Sequence, residues 1–478
     1  MAKPLRALCI ALAVVLALGL CAWLLLRTPA KTDKDGAAPA LVSKTAAEVA
    51  EVAVENTAGS YTATQRDGVV TVGDLPASVL NTEYAGLLMD ECSSITYDEV
   101  ANDKPDDLSL YGLAQPEATV RITYTDGSHF TLLVGKEEPV SGGRYCKSAD
   151  DGRVLLFKRG RTVRFTMPIE KYINYVIIPP TDSKALVDCV GDFTFSGTAL
   201  PAPVVLRRID TDTDAALRRE AVSFGAVSHL IVSPGLHEAD QSYLAKVFDG
   251  LLGLLSEGVV DYNCSEADLA QYHLDAPLLR LEFDYRTTPS GAYSHYDLRY
   301  ALLDDGTPVV ICNGSGVVYK VLGDLAWQSV SYEQLILRWF LSPLITDVAG
   351  ITLTVDGKTY DFVLGGTNAK DLTATCNGQP VDTEQFRRWY TLLVSAGSEG
   401  SALTDAGTPA GTPRLTIRYR YRDTAKADDL LSAWDYTTRR LLVGVNGSCE
   451  FAMRDKFPAA IAAGTEALLS GGTVSTDW

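Results

Sequence analysis

The one local constellation of metal-binding type in this 478-residue chain is Asp210-Thr-Asp212-Thr-Asp214. Alternating carboxylates in a loop can converge on calcium, a hard cation that takes oxygen ligands. The full calcium loop also needs a Gly at its sixth position and a bidentate Glu at its twelfth. Those positions hold Ala215 and Ala221, with Glu220 one place early. Asp210, Asp212 and Asp214 are therefore a calcium candidate without its turn glycine. The competing expectation is a solvated loop running into a helix over 215–220, whose N-terminus suits acidic residues.

Other chemistry is sparse. The histidines at 129, 229, 237, 273 and 295 are isolated, and none forms a His-x-x-x-His pair. Asn313-Gly-Ser-Gly316 and Asn446-Gly-Ser-Cys449 are not nucleophile elbows, which need Gly-x-Ser-x-Gly. Both read as turns between strands. Neither a phosphate-binding loop nor a dinucleotide fingerprint occurs. Carboxylates are plentiful, but nothing in the sequence pairs two of them across a cleft. The nine cysteines are scattered without CxxC or zinc-ligand spacing. Most read as buried free thiols, with a single bridge such as Cys92–Cys146 left open. No catalytic residue and no cofactor is expected, so the chain does not read as an enzyme.

The net charge is −18, with 46% hydrophobic and 21% charged residues. That composition is ordinary for globular domains. The negative field and the lack of a basic stripe argue against nucleic acid as a partner. At about 100–200 residues per domain, the length suggests about three domains.

Ala7 to Leu26 is an uncharged apolar run of 20 residues. As a helix it would span about 30 Å, the thickness of a bilayer's hydrocarbon core. The run exceeds a typical signal-peptide core, so a retained anchor is expected, with cleavage after Thr28-Pro29-Ala30 as the alternative. The flanking positive charges are nearly balanced. Orientation therefore rests on the long soluble-looking remainder: a cytoplasmic N-terminus and an extracytoplasmic bulk. The expected organisation is a cytoplasmic tip and transmembrane anchor over 1–27, then a stalk over 28–48. Three domains follow, over 49–180, 181–343 and 344–478, the last including the C-terminal tail.

Those domains read as divergent copies of one unit. Tyr111-x-Leu113-x-x-Pro116 and Tyr272-x-Leu274-x-x-Pro277 each precede an alternating strand, 161 residues apart. Gly191 and Gly350, each opening a hairpin after a Pro-ended apolar segment, lie 159 apart. A third copy keeps Pro413 and its strand but lacks the Tyr-x-Leu. Tyr111, Leu113, Pro116, Tyr272, Leu274 and Pro277 are expected to be structural, plugging the core beside a strand start. Asp67-Gly68 and Asp356-Gly357 are two-residue hairpin turns, read as equivalent between copies one and three. Helices are expected over Glu238–Ser256, over Thr383–Ser395 (with Asp382 and Gln385 as a capping box), and closing the first two copies at Pro168–Ile177 and Tyr332–Leu341. The expected fold is α+β: three tandem repeats of a mainly antiparallel sheet with packed helices, after one transmembrane helix.

The run from Pro105 through Tyr111-Gly-Leu-Ala-Gln-Pro116, then Thr125-Asp-Gly127, Thr131 to Glu137 and Gly143-Arg-Tyr-Cys-Lys147, resembles the family known as domain of unknown function 4340. The resemblance is clearest over 50–178, weaker over 186–341 and faint beyond. In the second copy His273 stands where the family prefers Gly. The resemblance implies an extracytoplasmic protein on one N-terminal helix, often encoded beside ABC transporters of the gliding-motility or export type. It implies no catalytic residues. The expected role is a non-enzymatic accessory or binding protein of an ABC-type export or envelope system. Its partners would be the membrane, through Ala7–Leu26, and a permease or auxiliary subunit. The alternatives are a surface adhesion or glycan-binding protein and an envelope hydrolase with an unrecognised site.

Overall fold

A computed structural model describes residues 38–181, 184, 186–209, 228–403, 409 and 411–478. The anchor segment, residues 28–37 of the stalk and the calcium candidate Asp210, Asp212 and Asp214 lie outside the described residues. Among the described residues no helix is long and apolar enough to cross a membrane. The chain divides into two compact units, Met1–Ile173 and Asn174–Trp478.

The architecture is mainly β: three antiparallel sheets with α-helices packed on them. In the first unit, Val49–Asn56 (β1), Gly59–Arg66 (β2) and Val69–Val72 (β3) form a meander. Thr82–Ser93 (α1) follows, then Glu99–Asn102 (β4), Ala118–Tyr124 (β5), His129–Glu137 (β6), Arg144–Ser148 (β7) and Val154–Phe157 (β8), with a short Val163–Thr166 (α2) after them. The sheet order is β3-β2-β1-β5-β6-β7-β8-β4. Alternation explains the half-buried strands: in β5 Ala118, Val120, Ile122 and Tyr124 point inward while Arg121 faces out.

The second unit carries two sheets. The first contains Val190–Ser196 (β9), Val204–Arg208 (β10), His229–Ser233 (β11), His237–Glu238 (β12), Gln241–Leu251 (α3), Gly258–Asp261 (β13), Leu279–Tyr285 (β14), Ser294–Leu302 (β15), Pro308–Cys312 (β16) and Val318–Lys320 (β17). Its order is β12-β11-β10-β9-β14-β15-β16-β17-β13. After Tyr332–Leu335 (α4) come Val348–Val355 (β18), Lys358–Gly365 (β19), Thr373–Cys376 (β20), Gln379–Pro380 (β21), Thr383–Val394 (α5), Leu415–Tyr421 (β22), Asp429–Thr437 (β23), Arg440–Val445 (β24), Ser448–Arg454 (β25) and Phe457–Leu469 (α6). The third sheet runs β21-β20-β19-β18-β22-β23-β24-β25.

All three sheets follow one path. A meander leads to a helix, and the chain returns to pair antiparallel with the meander's first strand. This ordering corrects the hairpin equivalence. Asp67-Gly68 joins β2 to β3, whereas Asp356-Gly357 joins β18 to β19. By position in the sheet, β18–β19 corresponds to β1–β2, which turn at Thr57-Ala58. Turn chemistry drifts more readily than strand order, because any two-residue turn that reverses the chain preserves the sheet.

The repeated motif has a common geometry. Leu108–Tyr111 and Leu269–Tyr272 are single 3-10 turns, ended by left-handed Gly112 (φ 68°) and His273 (φ 58°). A side chain at 112 would meet the Lys136 backbone nitrogen, so Gly is required there. Leu113 and Leu274 are buried, while Pro116 and Pro277 are half-buried at the strand approach. Tyr111 accepts a hydrogen bond from Asn102 of β4 (2.9 Å), and Tyr272 donates to Asp261 of β13 (2.8 Å). In each case the tyrosine ties the turn to the far edge strand. Tyr272→Phe should cost about 1 kcal/mol, the net worth of one such bond, read as a shift of the second unit's urea midpoint.

The closing helices are corrected. Ile169–Tyr172 is one 3-10 turn, and Ile173 is already extended and bridges Leu80. Only Tyr332–Leu335 is helical in the later segment; Ile336 bridges Ala239 and Trp339 bridges Gly397. Tertiary backbone bonds on both sides of 336–340 win over helix periodicity there. The capping box at α5 is half formed. Asp382 accepts from the Gln385 N–H (2.8 Å), but the Gln385 side chain instead accepts from the Val474 N–H (2.9 Å). The described cysteines are free, and Cys92 and Cys146 are both buried thiols.

Candidate functional site

The second unit has two neighbouring recesses where the 336–340 segment lies between two sheet edges. The Leu337 N–H donates to Glu238 O of β12 (2.8 Å). On the other side Phe340 N–H donates to Ala396 O (2.9 Å) and Ser398 N–H to Arg338 O (2.7 Å). Glu399 and Leu403 then donate to Ala452 O and Glu450 O of β25. A relay of backbone bonds thus joins the edge of the second sheet to the edge of the third.

A side-chain tie reinforces the relay. Glu450 accepts from Tyr332 OH on one oxygen and from His237 Nε2 on the other, each at 2.6 Å. Burial works to raise the Glu450 carboxyl, but these two donors outweigh it and hold it below the usual carboxylate range. Burial, then the neighbouring Glu450, pushes the Tyr332 phenol well up. The group resembles two members of a hydrolytic triad, since a carboxylate orients a histidine. Among the described residues no hydroxyl or thiol is hydrogen-bonded to His237, so the nucleophile of such a triad is not in place. A cavity of about 270 Å³ opens beside the tie, lined by Leu236, Ile336, Phe340, Val443, Val445 and Phe451 among others.

Next to it is a more open cleft of about 640 Å³. Its walls include Trp339, Trp478, Arg338, Arg454, Glu399 and Ser398. Trp339 is 52% exposed and Trp478 37%. The Trp478 ring is fixed: its N–H donates to Ser395 Oγ (2.8 Å) and its edge meets Phe457 (4.9 Å between centroids). Glu399 accepts from Arg454 Nε (2.7 Å), and this bond, helped by Arg440 and Arg338, holds its carboxyl low. Asp240, at the start of α3, is occupied by the N–H groups of Ser242 and Tyr243.

The first unit has a smaller recess of about 290 Å³ between α1 and the β8–α2 region, lined by Glu91, Thr96, Phe157, Arg161 and Phe165 among others. Glu91 forms an ion pair with Arg164, whose guanidinium lies over the Tyr84 ring (4.7 Å). One Glu91 oxygen is buried without a hydrogen-bond partner. Burial pushes its carboxyl up to about 7, against the pull of Arg164. A carboxyl raised in the fold stabilises most below its unfolded value near 4.5, and that contribution is lost as pH rises through about 7. Protection of the α1 amides, taken relative to the intrinsic exchange rate at each pH, should therefore fall between those pH values in the wild type, and Glu91→Gln should flatten that fall.

The residues singled out by sequence do not converge. Tyr111, Leu113 and Pro116 lie in the first unit, and Tyr272, Leu274 and Pro277 beside β13 and β14 in the second, away from the recesses. Among the histidines, His237 joins the tie, His229 is buried, and His273 and His295 pair at the surface with Asp304 and Asp284. His129 lies within hydrogen-bond distance of Thr123 (3.2 Å). No three His, Cys, Asp or Glu side chains among the described residues gather to hold a metal. In the sequence Arg338-Trp339 read as part of the closing helix Tyr332–Leu341, and Trp478 carried no reading. The available signal was an Arg-Trp pair beside a Pro-ended apolar stretch and a tryptophan at the C-terminal end.

Residues 86–167 match the family model described as Domain of unknown function (DUF4340), which places this stretch of the first unit in that family. Every residue lining the first unit's recess falls within the match. No curated protein matches the chain.

Proposed function

We propose that this chain, with its DUF4340 segment, is a membrane-anchored extracytoplasmic binding protein that serves an ABC-type export or envelope system and is not an enzyme. In this reading Ala7–Leu26 holds the chain in the membrane with its N-terminus cytoplasmic. Three divergent copies of one sheet fold, over 49–180, 181–343 and 344–478, project from it. The open cleft of the second unit receives what is bound.

The observation that carries the reading is the composition of that cleft. Its walls offer indole faces, a guanidinium and small polar groups, which recognise ligands. The nearest His–carboxylate pair is locked into a structural tie instead of facing a nucleophile. The shared strand order supports repetition, as does the matched tie of Tyr111 to Asn102 and of Tyr272 to Asp261. The 20-residue apolar run supports the anchor. A second reading, an independent surface adhesin that binds glycans, is favoured by the two exposed tryptophans.

The test is cross-linking in intact cells followed by purification of the full chain from membranes. Enrichment of a permease or ATPase subunit is expected. Recovery of the chain with no transporter component would overturn the accessory role and leave the adhesin reading.

A further inference from the structure

We propose that the open cleft of the second unit binds a carbohydrate that bears a carboxylate, stacked on Trp339 and Trp478 and anchored by Arg338. This inference rests on the reading of the cleft as a binding site, and it names the ligand class.

Three observations converge. The first is charge. Within the cleft Asp240 is satisfied by backbone N–H groups and Glu399 by Arg454. The Arg338 guanidinium makes no hydrogen bond or ion pair among the described residues. Arg338 lies near enough to Glu399 to help hold its carboxyl low, but its guanidinium has no hydrogen-bond acceptor among the described residues. A guanidinium of this kind takes a carboxylate through two parallel hydrogen bonds.

The second is the pair of indoles. Trp339 is half exposed, and its N–H has no partner among the described residues. Trp478 is held by Ser395 and Phe457, so its ring is presented rigidly. A large aromatic face at the mouth of a cleft covers apolar surface while its N–H edge meets polar groups. A sugar ring has the matching character: an apolar C–H face and a polar rim of hydroxyls. Ser398 and Ser242 stand on the same walls as further hydroxyl partners.

The third is the cleft floor. Recognition of an extended peptide by strand addition needs a free backbone edge. Here the 336–340 backbone is bonded on one side to Glu238 and on the other to Ala396 and Ser398. With both edges used, side chains must do the recognising, which favours stacking and a charge anchor over a peptide strand. A volume of about 640 Å³ lies within the range of small-ligand sites.

The experiment is calorimetric titration of the full chain in detergent with tetragalacturonate, cellotetraose and a triglutamate peptide. Saturable binding of tetragalacturonate is expected, with cellotetraose and triglutamate at least tenfold weaker. Arg338→Gln should lose at least tenfold for tetragalacturonate and bring it down to the cellotetraose level. Trp339→Ala should lose at least tenfold on both sugars, and Trp339→Phe should recover part of that. Both residues are exposed, and unchanged circular dichroism will show that the variants fold. Equal affinity for the two sugars would overturn the carboxylate anchor. Equal affinity for triglutamate, or no sugar binding at millimolar concentration, would overturn the carbohydrate class. Sugar binding without transporter capture would leave this inference standing and sink the accessory role; transporter capture without sugar binding would do the reverse.

Discussion

Trp389→Ala should destabilise the second unit by about 3–5 kcal/mol, the usual cost of deleting a large buried aromatic. Trp389 is fully buried on α5, where the third sheet meets its two helices. Its ring lies 4.2 Å from Phe362 and 5.5 Å from Phe386, centroid to centroid, so one truncation removes two aromatic contacts. Its N–H donates to Thr465 Oγ1 of α6 (2.9 Å) in a fully buried bond. Thr465 Oγ1 donates its own hydrogen bond to Ile461 O (2.7 Å), so the truncation leaves the threonine oxygen without its donor. Gly464, the residue before Thr465, lies close against Leu392 and near the Trp389 ring, so the two helices already pack tightly around the site. Urea unfolding followed by amide exchange should show the loss in peptides from α5, α6 and β19, with the first unit's peptides unchanged. A cost under about 1 kcal/mol would mean that the site collapses around the hole.

Acidification should weaken the second unit through His229. This imidazole is buried on β11, and burial pushes it down to about 4 from its ordinary 6.5. The hydrogen bond to Gly191 O (2.9 Å) pulls the other way, and the Arg208 charge adds to the lowering. Gly191 O can only accept, so Nε2 carries the proton and Nδ1 faces Ser228 Oγ (2.8 Å). Ser228 also lies 2.6 Å from Gln241 Oε1, and Phe248 closes the ring's remaining side (5.8 Å). The fold therefore holds the neutral ring. Above about pH 6.5 the contribution is complete. As pH falls to about 4 the unfolded chain takes a proton that the folded chain refuses. The loss over that window is about 3 kcal/mol, at roughly 1.4 kcal/mol per unit. Urea midpoints of the wild type and His229→Gln across pH 4–7 should converge toward the acid end. Parallel curves would show that His229 is not the titrating group.

The turns and strands were legible because their signals are local. Asn313-Gly314 and Asn446-Gly447 adopt the positive φ pairs their residues suggest, and β5 and β14 alternate as their side chains do. The amphipathic helix at Thr383–Val394 was legible for the same reason, through Phe386, Trp389, Tyr390 and Leu393. The segment 336–340 was not. Its apolar residues fit a helical period, but the decisive bonds go to Glu238 and Ala396, about a hundred and about sixty residues away. The cleft was hidden by the same distance. Arg338, Ser398, Arg454 and Trp478 come from four separate stretches, and only the relay between two sheet edges brings them together. His237 and Glu450 lie 213 residues apart, so nothing in the sequence pairs them. The repeat offset was visible because Tyr111 and Tyr272 keep one role; the hairpins misled because their turns drifted between copies.

The central claim is that this is a tethered binding protein whose working surface is the second unit's cleft. Amide exchange of the full chain tests it most directly, comparing chain isolated from native membranes with its bound envelope components and chain washed free of them. The account predicts protection on binding at 336–340, 395–399 and the β25 residues Glu450–Arg454, with the β13 and β21 edges unchanged. Protection confined to other surfaces, or none on binding, would contradict it.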